Sequence, residues 1–511
     1  MGRHLGSIQR VLLGCGLLSI LLFTGCPAPK AKPPAENSAD SPNSNNSAAA
    51  AASKSQSPGE EPASSSLRVL VVDDPSLAEA IENQWQAVAE QTIRVKTITA
   101  EQLEATTKTL AADVILFPHD ALGTLVERRQ IVPVADEVWN GTRWNRRDLL
   151  ELPRQRESTW GQTVYALPLG SRQLMLWYRR DLFDKLGLSV PRTWSDYQTL
   201  AEQLGNRELL RQKAENLAPA ADQPWTGALE PLGGGFSGSL LTVRAAAYLR
   251  HRSQYSTFLD FSSLEPLLAT PPFTRALEEL TTVAKLTPNE LRSLSPDEVR
   301  QAFLAGRAAM AITWASATDE AAAAVVDGNA IGVAIVPGST QMYNLRQGKW
   351  EERVAEESLT VPVVGLAGRL GATTRECRRS QAAWNFLLLL SCSEWSSAVL
   401  SQSSATGIVR REQLRDAQAW LGSSLAGDGR RDYLQAVEET SRQTNWLTIL
   451  RIPGQSGFRA ALSTAVDDSI ADRTAAAAAL EQAADAWRKI IADRDPQQLK
   501  AAYRRDLGLE K

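Results

Sequence analysis

Histidine and cysteine are scarce in this chain, with three and four among 511 residues. Past His4, the only histidines are His119 and His251. No G-x-S-x-G elbow and no H-E-x-x-H run occurs, so the usual local signatures of a serine hydrolase and a zinc protease are missing. Glycoside cleavage by paired carboxylates needs no local motif and stays open on residues alone. Cys377 and Cys392 flank a predicted helix over residues 380–390. Along such a helix they would stand about 20 Å apart, too far for a disulfide. Neither has a second thiol or a histidine at metal spacing, so no metal and no cofactor is expected. The formal charge of −3 gives no support for nucleic-acid binding. After residue 23 no long apolar run follows that would span a membrane as a helix.

The start of the chain is of another kind. Arg3 and Arg10 precede an apolar run from Val11 to Phe23, which suits the h-region of an export signal. It ends in Phe23-Thr24-Gly25-Cys26, which resembles a bacterial lipobox. The resemblance implies a signal peptide over residues 1–25 and a lipidated Cys26 as first mature residue. An ordinary secretory signal with an incidental cysteine is the alternative. Residues 27–66 hold seven prolines and no aromatic residue, valine, isoleucine or leucine. Such a segment buries too little apolar surface to offset its ordering entropy, and residues 26–66 read as a disordered tether. As a flexible coil its ends would lie about 30–40 Å apart.

From Leu67 the pattern alternates. LRVLVV (67–72) reads as a buried strand, Asp74-Pro75 as a helix start, Ile93 to Ile98 as a second strand, and Ala100 to Leu110 as a second helix. Ala112 to Phe117 is a third strand, ending in Pro118-His119-Asp120. Leu174 to Tyr178 (LMLWY) suits a strand buried on both faces. A short helix from Leu182 is stopped by Gly187, and Thr193 is placed to cap the next one. WTGALEPLGGGFSGS (225–239) is a glycine-rich entry to the helix 240–250. It lacks the G-K-[ST] ending of a P-loop, and its free N–H groups could meet a ligand oxygen.

Three runs carry a family resemblance. They are YALPLGSRQLMLWYRRDLFDKLGLSVPRTW (165–194), DVILFPHD (113–120) and FLAGRAAMAITW (303–314). In this order they resemble family 1 extracellular solute-binding proteins, the maltose-binding-protein-like receptors of ABC importers. The resemblance covers residues 67 to about 492. It implies an α/β type II periplasmic-binding-protein fold, with two lobes joined by three hinge crossovers near 169–173, 312–316 and 363–367. Lobe 1 is then expected over 67–168 and 316–363, lobe 2 over 173–312 and 367–495, and a C-terminal tail over 496–511.

The same resemblance implies the site. The C–H face of a sugar stacks on aromatic rings, and its hydroxyls pair with groups that form two hydrogen bonds at once. Phe117 and Asp120 match family contact positions, and Trp314 ends a family strand. Phe458 and Arg459 match a segment with an aromatic contact, so that Arg459 stands where the family has an aromatic residue. Arg172 aligns with an acidic family contact. Asp73 sits at a strand end, and Phe236 in the glycine-rich loop offers a ring. Ordinary roles are the alternative: core packing for Phe117 and Trp314, helix capping for Asp74 and Asp120, and a hinge ion pair from Arg172 to Asp73 or Asp120. Two guanidinium groups facing one cleft would suit an acidic or sulfated saccharide.

The expected function is that of a monomeric, lipid-anchored receptor of the cell envelope. It would capture a small solute, most simply a saccharide, by hinge closure and deliver it to an ABC permease. Ligand sensing without transport and glycan hydrolysis are the competing classes.

Overall fold

Short apolar strands alternate with amphipathic helices along most of the chain, and the strands sort into two sheets. The computed structural model describes residues 66–88, 92–317, 325–391 and 393–510. The expected export signal, Cys26 and nearly all of the expected tether lie outside these residues. Residues 67–84 and 93–511 make up one compact unit.

The first sheet contains β1 (Leu67–Val72), β2 (Ile93–Ile98), β3 (Val114–Pro118), β4 (Leu167–Arg172) and, from much later in the chain, Ala367–Thr373. Its order is β2-β1-β3, then the late strand, then β4. The β1–β2 and β1–β3 pairs are parallel, while the late strand runs antiparallel to both β3 and β4. The second sheet holds β5 (Met175–Arg179), β6 (Thr226–Leu229), β7 (Ala308–Thr313) and β8 (Ile331–Ile335), in the order β8-β5-β7-β6. The late strand of the first sheet is therefore β9. Every residue of β4 and of β7 is buried, as expected of strands covered on both faces.

Helices start and stop where local chemistry dictates. Thr193 and Asp196 form a capping box at the start of α1 (Trp194–Gly205), and Ser295 with Glu298 does the same for α2 (Pro296–Leu304). Gly187, at φ 63°, closes the helix Arg180–Leu186 in the left-handed region that glycine enters without cost. The glycine-rich loop leads into a helix over Ser237–Leu249, nearly all of it buried.

Two expected boundaries are corrected by strand pairing. Residues 331–335 pair with β5, so the segment 316–363 supplies the second sheet and does not return to the first lobe. Residues 367–373 pair with β3 and β4, so the chain re-enters the first sheet at β9 rather than leaving it. The run after Trp314 is thus no crossover. The chain passes between sheets from β4 to β5 and again before β9, and it returns when the helix Gly427–Ser441 packs on β8. An apolar run announces a buried strand but not which sheet takes it.

Within the expected tail 496–511, the described residues 496–510 are not a free tail either. Pro496–Asp506 is a helix capped by Asp495, with Tyr503 buried and its hydroxyl 2.6 Å from Ser256 Oγ. Asp506 accepts from Arg451 Nε at 2.9 Å in a pair with both side chains buried. Gln341–Asn344 and Lys349–Glu352 pair as an antiparallel hairpin. Among the described residues no helix is long and apolar enough to cross a membrane.

Candidate ligand site

Arg172 ends β4, and its buried side chain reaches out of the first sheet into the second. Nη2 donates to Asp297 Oδ1 at 3.0 Å and to the Ala315 carbonyl at 2.9 Å. Nη1 donates to Asp297 Oδ2 at 3.4 Å and to the Ser404 carbonyl. The pairing with Asp297 is a two-point fork, the geometry a planar guanidinium favours. The guanidinium carbon lies 4.2 Å from the Trp314 ring centroid, a cation–π distance.

Trp314 follows β7 directly and is itself held. Its Nε1 donates to Asp297 Oδ1 at 3.1 Å, and Phe236 meets the indole edge-to-face at 5.4 Å between centroids. Arg300 donates to Asp297 at 2.5 Å and to the Trp314 carbonyl at 3.2 Å. Asp297 thus collects two guanidinium groups and one indole N–H. It lies in the first turn of α2, where the helix dipole also favours negative charge. Burial alone would raise this carboxyl, but Arg172 and Arg300 outweigh burial and hold it at about 2. Burial lowers Arg172 to about 10 against the pull of Asp297, which leaves it charged at neutral pH.

Arg172, Trp314 and Phe236 are therefore brought together as a cluster, with Asp297 as its centre. Sequence reasoning passed over Asp297. Its setting, Ser295-Pro296-Asp297-Glu298, reads as an ordinary acidic helix start and carries no further signal. The expected partners of Arg172, Asp73 or Asp120, are both replaced by Asp297.

A second group forms around Asp120. Arg459 Nη1 donates to Asp120 Oδ2 from the helix Gln455–Ile470, and Phe458 packs against Trp487 with ring centroids 4.9 Å apart. These residues line a cavity of about 50 Å³. A cavity of about 30 Å³ lies beside Arg172, and Leu366 lines both. Each has room for water but not for a sugar ring.

Two expected site residues stand elsewhere. Phe117 is fully buried in the hydrophobic core, with Leu370 of β9 opposite it in the sheet. All of β3 up to Phe117 is buried, so no face of the strand is left for a ligand. Asp73, at φ 50°, spends its carboxylate on the Ala100 N–H at 3.0 Å, holding the start of the helix Ala100–Ala105. Asp74 caps its own helix through the Leu77 N–H and pairs with Arg369 at 3.2 Å. In the glycine-rich loop, the Gly238 N–H is taken by Ser463 Oγ at 3.1 Å. Cys377 is a free thiol, and Cys392 lies outside the described residues.

Residues 71–356 match the family model described as bacterial extracellular solute-binding protein. The chain belongs to this family. Solved structures share its fold. A solute-binding protein of Agrobacterium radiobacter K84 in complex with ribitol is 20% identical with a TM-score of 0.62, over 84% of this chain and all of its own. A second, from Agrobacterium vitis S4 with bound D-mannitol, is 16% identical with a TM-score of 0.60, over 84% of this chain and 98% of that one. The maltose-bound MalE3 of T. maritima is 14% identical with a TM-score of 0.58, over 83% of this chain and 100% of that one. No curated protein matches the chain. The two sheets and their helices are accordingly the two lobes of the periplasmic-binding-protein fold. The cluster around Asp297 lies where the extracellular solute-binding protein passes from one lobe to the other.

Proposed function

We propose that the chain is a lipid-anchored receptor that captures a neutral sugar or polyol between its lobes and presents it to an ABC permease. The observation that carries this reading is the meeting of Arg172, from the first sheet, with Trp314 and Asp297, from the second. An indole edged by Phe236 offers a ring face for C–H groups, and the Asp297–Arg172 pair offers an acceptor and donors for hydroxyls. Three proteins of the same fold were solved with ribitol, mannitol and maltose, all neutral polyhydroxy compounds.

An acidic or sulfated ligand draws less support. Each guanidinium on which that reading rests already holds a carboxylate, Arg172 on Asp297 and Arg459 on Asp120. The cleft then presents paired charges rather than bare positive charge. Ligand binding shifts the balance between open and closed lobes by its differential affinity for the two. In the open form the ring face of Trp314 is released by Arg172 and taken by the ligand.

A thermal-shift screen of the purified protein against neutral sugars, polyols and their uronic and sulfated counterparts tests this, since a ligand bound only by the folded form raises Tm. A rise with a neutral compound, with the compound recovered chemically unchanged, supports a receptor. A response confined to anionic compounds sinks the neutral-ligand reading, and cleavage of the compound sinks the receptor.

A further inference from the structure

Away from the cleft a basic cavity opens on the surface, where Arg146, Arg147 and Gln155 are exposed. It measures about 370 Å³ and is lined by Arg146, Arg147, Arg154 and Gln155, with Trp139 and Val164 as its apolar wall. That volume is in the range of small-molecule sites. Four different local structures converge on it. Trp139 ends the short helix Asp136–Trp139, Arg146 and Arg147 lie in the turn Arg146–Asp148, and Arg154 and Gln155 lie in the turn Pro153–Glu157. Val164 comes from the strand Thr163–Val164.

The chemistry of the lining is one-sided. Three guanidinium groups and one amide offer N–H donors, and no carboxylate lines the cavity. From 143 to 156 the chain carries five arginines and two acids. Both acids are turned to other partners: Asp148 accepts from Arg410 at 3.5 Å and from the Glu412 N–H at 3.2 Å, and Glu151 pairs with Arg411 at 3.5 Å. Asp136 and Glu137, on the helix of Trp139, are outside the cavity wall. Among the described residues Arg146, Arg147 and Arg154 have no carboxylate partner, in contrast to Arg172, Arg300, Arg410 and Arg459. Three unneutralised guanidinium groups around one cavity call for a ligand that only accepts hydrogen bonds and carries negative charge.

We propose that the cavity of Arg146, Arg147 and Arg154 is a second binding site, separate from the interlobe cleft, for a phosphate-bearing ligand. The apolar wall of Trp139 and Val164 suits a ligand with a carbon skeleton beside its phosphate. Two sources share that chemistry, an anionic phospholipid headgroup and a soluble phosphate.

Isothermal titration of the full chain at low salt with inorganic phosphate and with short-chain dihexanoyl phosphatidylglycerol tests the site. The wild type should bind at least one probe. Replacing all three residues, as Arg146→Gln, Arg147→Gln and Arg154→Gln together, should weaken binding by at least about tenfold, because charged hydrogen bonds are lost. Tighter binding of the lipid points to the headgroup, and equal binding to free phosphate. Arg147→Gln alone changes one exposed side chain and keeps the test readable should the triple variant misfold. If neither probe binds the wild type, or the variants bind as well as it does, there is no such site. Sugar-induced thermal shifts should be unchanged in Arg147→Gln, so failure here is distinct from failure of the cleft.

Discussion

Arg172 covers Trp314. Its guanidinium carbon stands 4.2 Å from the indole centroid while its nitrogens grip Asp297, which also accepts from the indole N–H. One side chain from the first sheet therefore closes a triangle whose other two corners belong to the second. The indole face is occupied by the protein's own cation, and a ligand stacking there, as proposed, would have to displace a contact that joins the lobes.

Asp297→Asn removes the charge that holds Arg172. The buried guanidinium keeps its bonds to the Ala315 and Ser404 carbonyls, and Asp297 is about one-third exposed, which limits the loss. Unfolding in urea should show a destabilisation of about 1–3 kcal/mol. An unchanged midpoint and slope would show that the pair contributes nothing.

The same carboxylate makes the molecule acid-sensitive in a defined window. Asp297 is held at about 2, below its unfolded value near 4, so the folded state binds its proton less readily. Its contribution is complete above about pH 4 and is lost as pH falls through about 2. Asp113, lowered by Arg68 against the effect of burial, acts in the same direction. The wild type should therefore lose more stability than Asp297→Asn between pH 4 and 2, and parallel pH profiles would contradict the assignment.

Much of this fold is written locally. Thr193, Gly187 and the LMLWY run mark a cap, a stop and a buried strand by their own chemistry, and all three stand where expected. Lobe membership is not local. IGVAIV and LAGRLGAT are both short apolar runs, and only long-range pairing sends one to β5 and the other to β3. The site divides in the same way. Arg172 and Trp314 are legible through the family resemblance, and Phe236 as a ring in the glycine-rich loop. Asp297 is not, because an acid in a first helical turn is what any helix shows. Phe117 misled for the converse reason: an aromatic at a strand end fits a cleft and a core equally well until the neighbouring strand β9 is in place.

The end of the chain is structural. Asp506 and Arg451 are both buried, and Arg451 also donates to the carbonyls of Arg156, Glu157 and Thr159. Asp506→Asn strands that guanidinium and should cost about 3 kcal/mol. Deleting residues 496–511 should cost more. Chemical denaturation of the two variants checks this, and a truncated chain as stable as the full one would restore the view of a free tail.

Membrane attachment should depend on one thiol. Cys26→Ser would remove the proposed lipid acceptor, and the protein should move from the membrane pellet to the soluble fraction after a salt wash. Retention in the pellet would refute the anchor, because a charged surface contact is screened at high salt whereas acyl chains are not.

The aromatic residues divide between ligand and core, and paired substitutions separate the roles. Phe236 is half-buried, at the entry to the helix Ser237–Leu249, and meets Trp314 edge-to-face. Phe236→Ala loosens the indole without opening the centre of a lobe. It should weaken ligand binding by about tenfold, the value of one aromatic contact, with a modest loss of stability. Trp314→Ala should weaken binding further, since the stacking face itself is gone. Phe117→Ala deletes a fully buried ring and should cost about 3–5 kcal/mol. The variant that remains folded should bind ligand with near-normal affinity, because the ring reaches no cavity between the lobes. Calorimetric titration of the three variants with the ligand found by thermal shift reads all of this together. A selective binding defect in Phe117→Ala, with Phe236→Ala unaffected, would reverse the assignment and move the ligand to the first lobe.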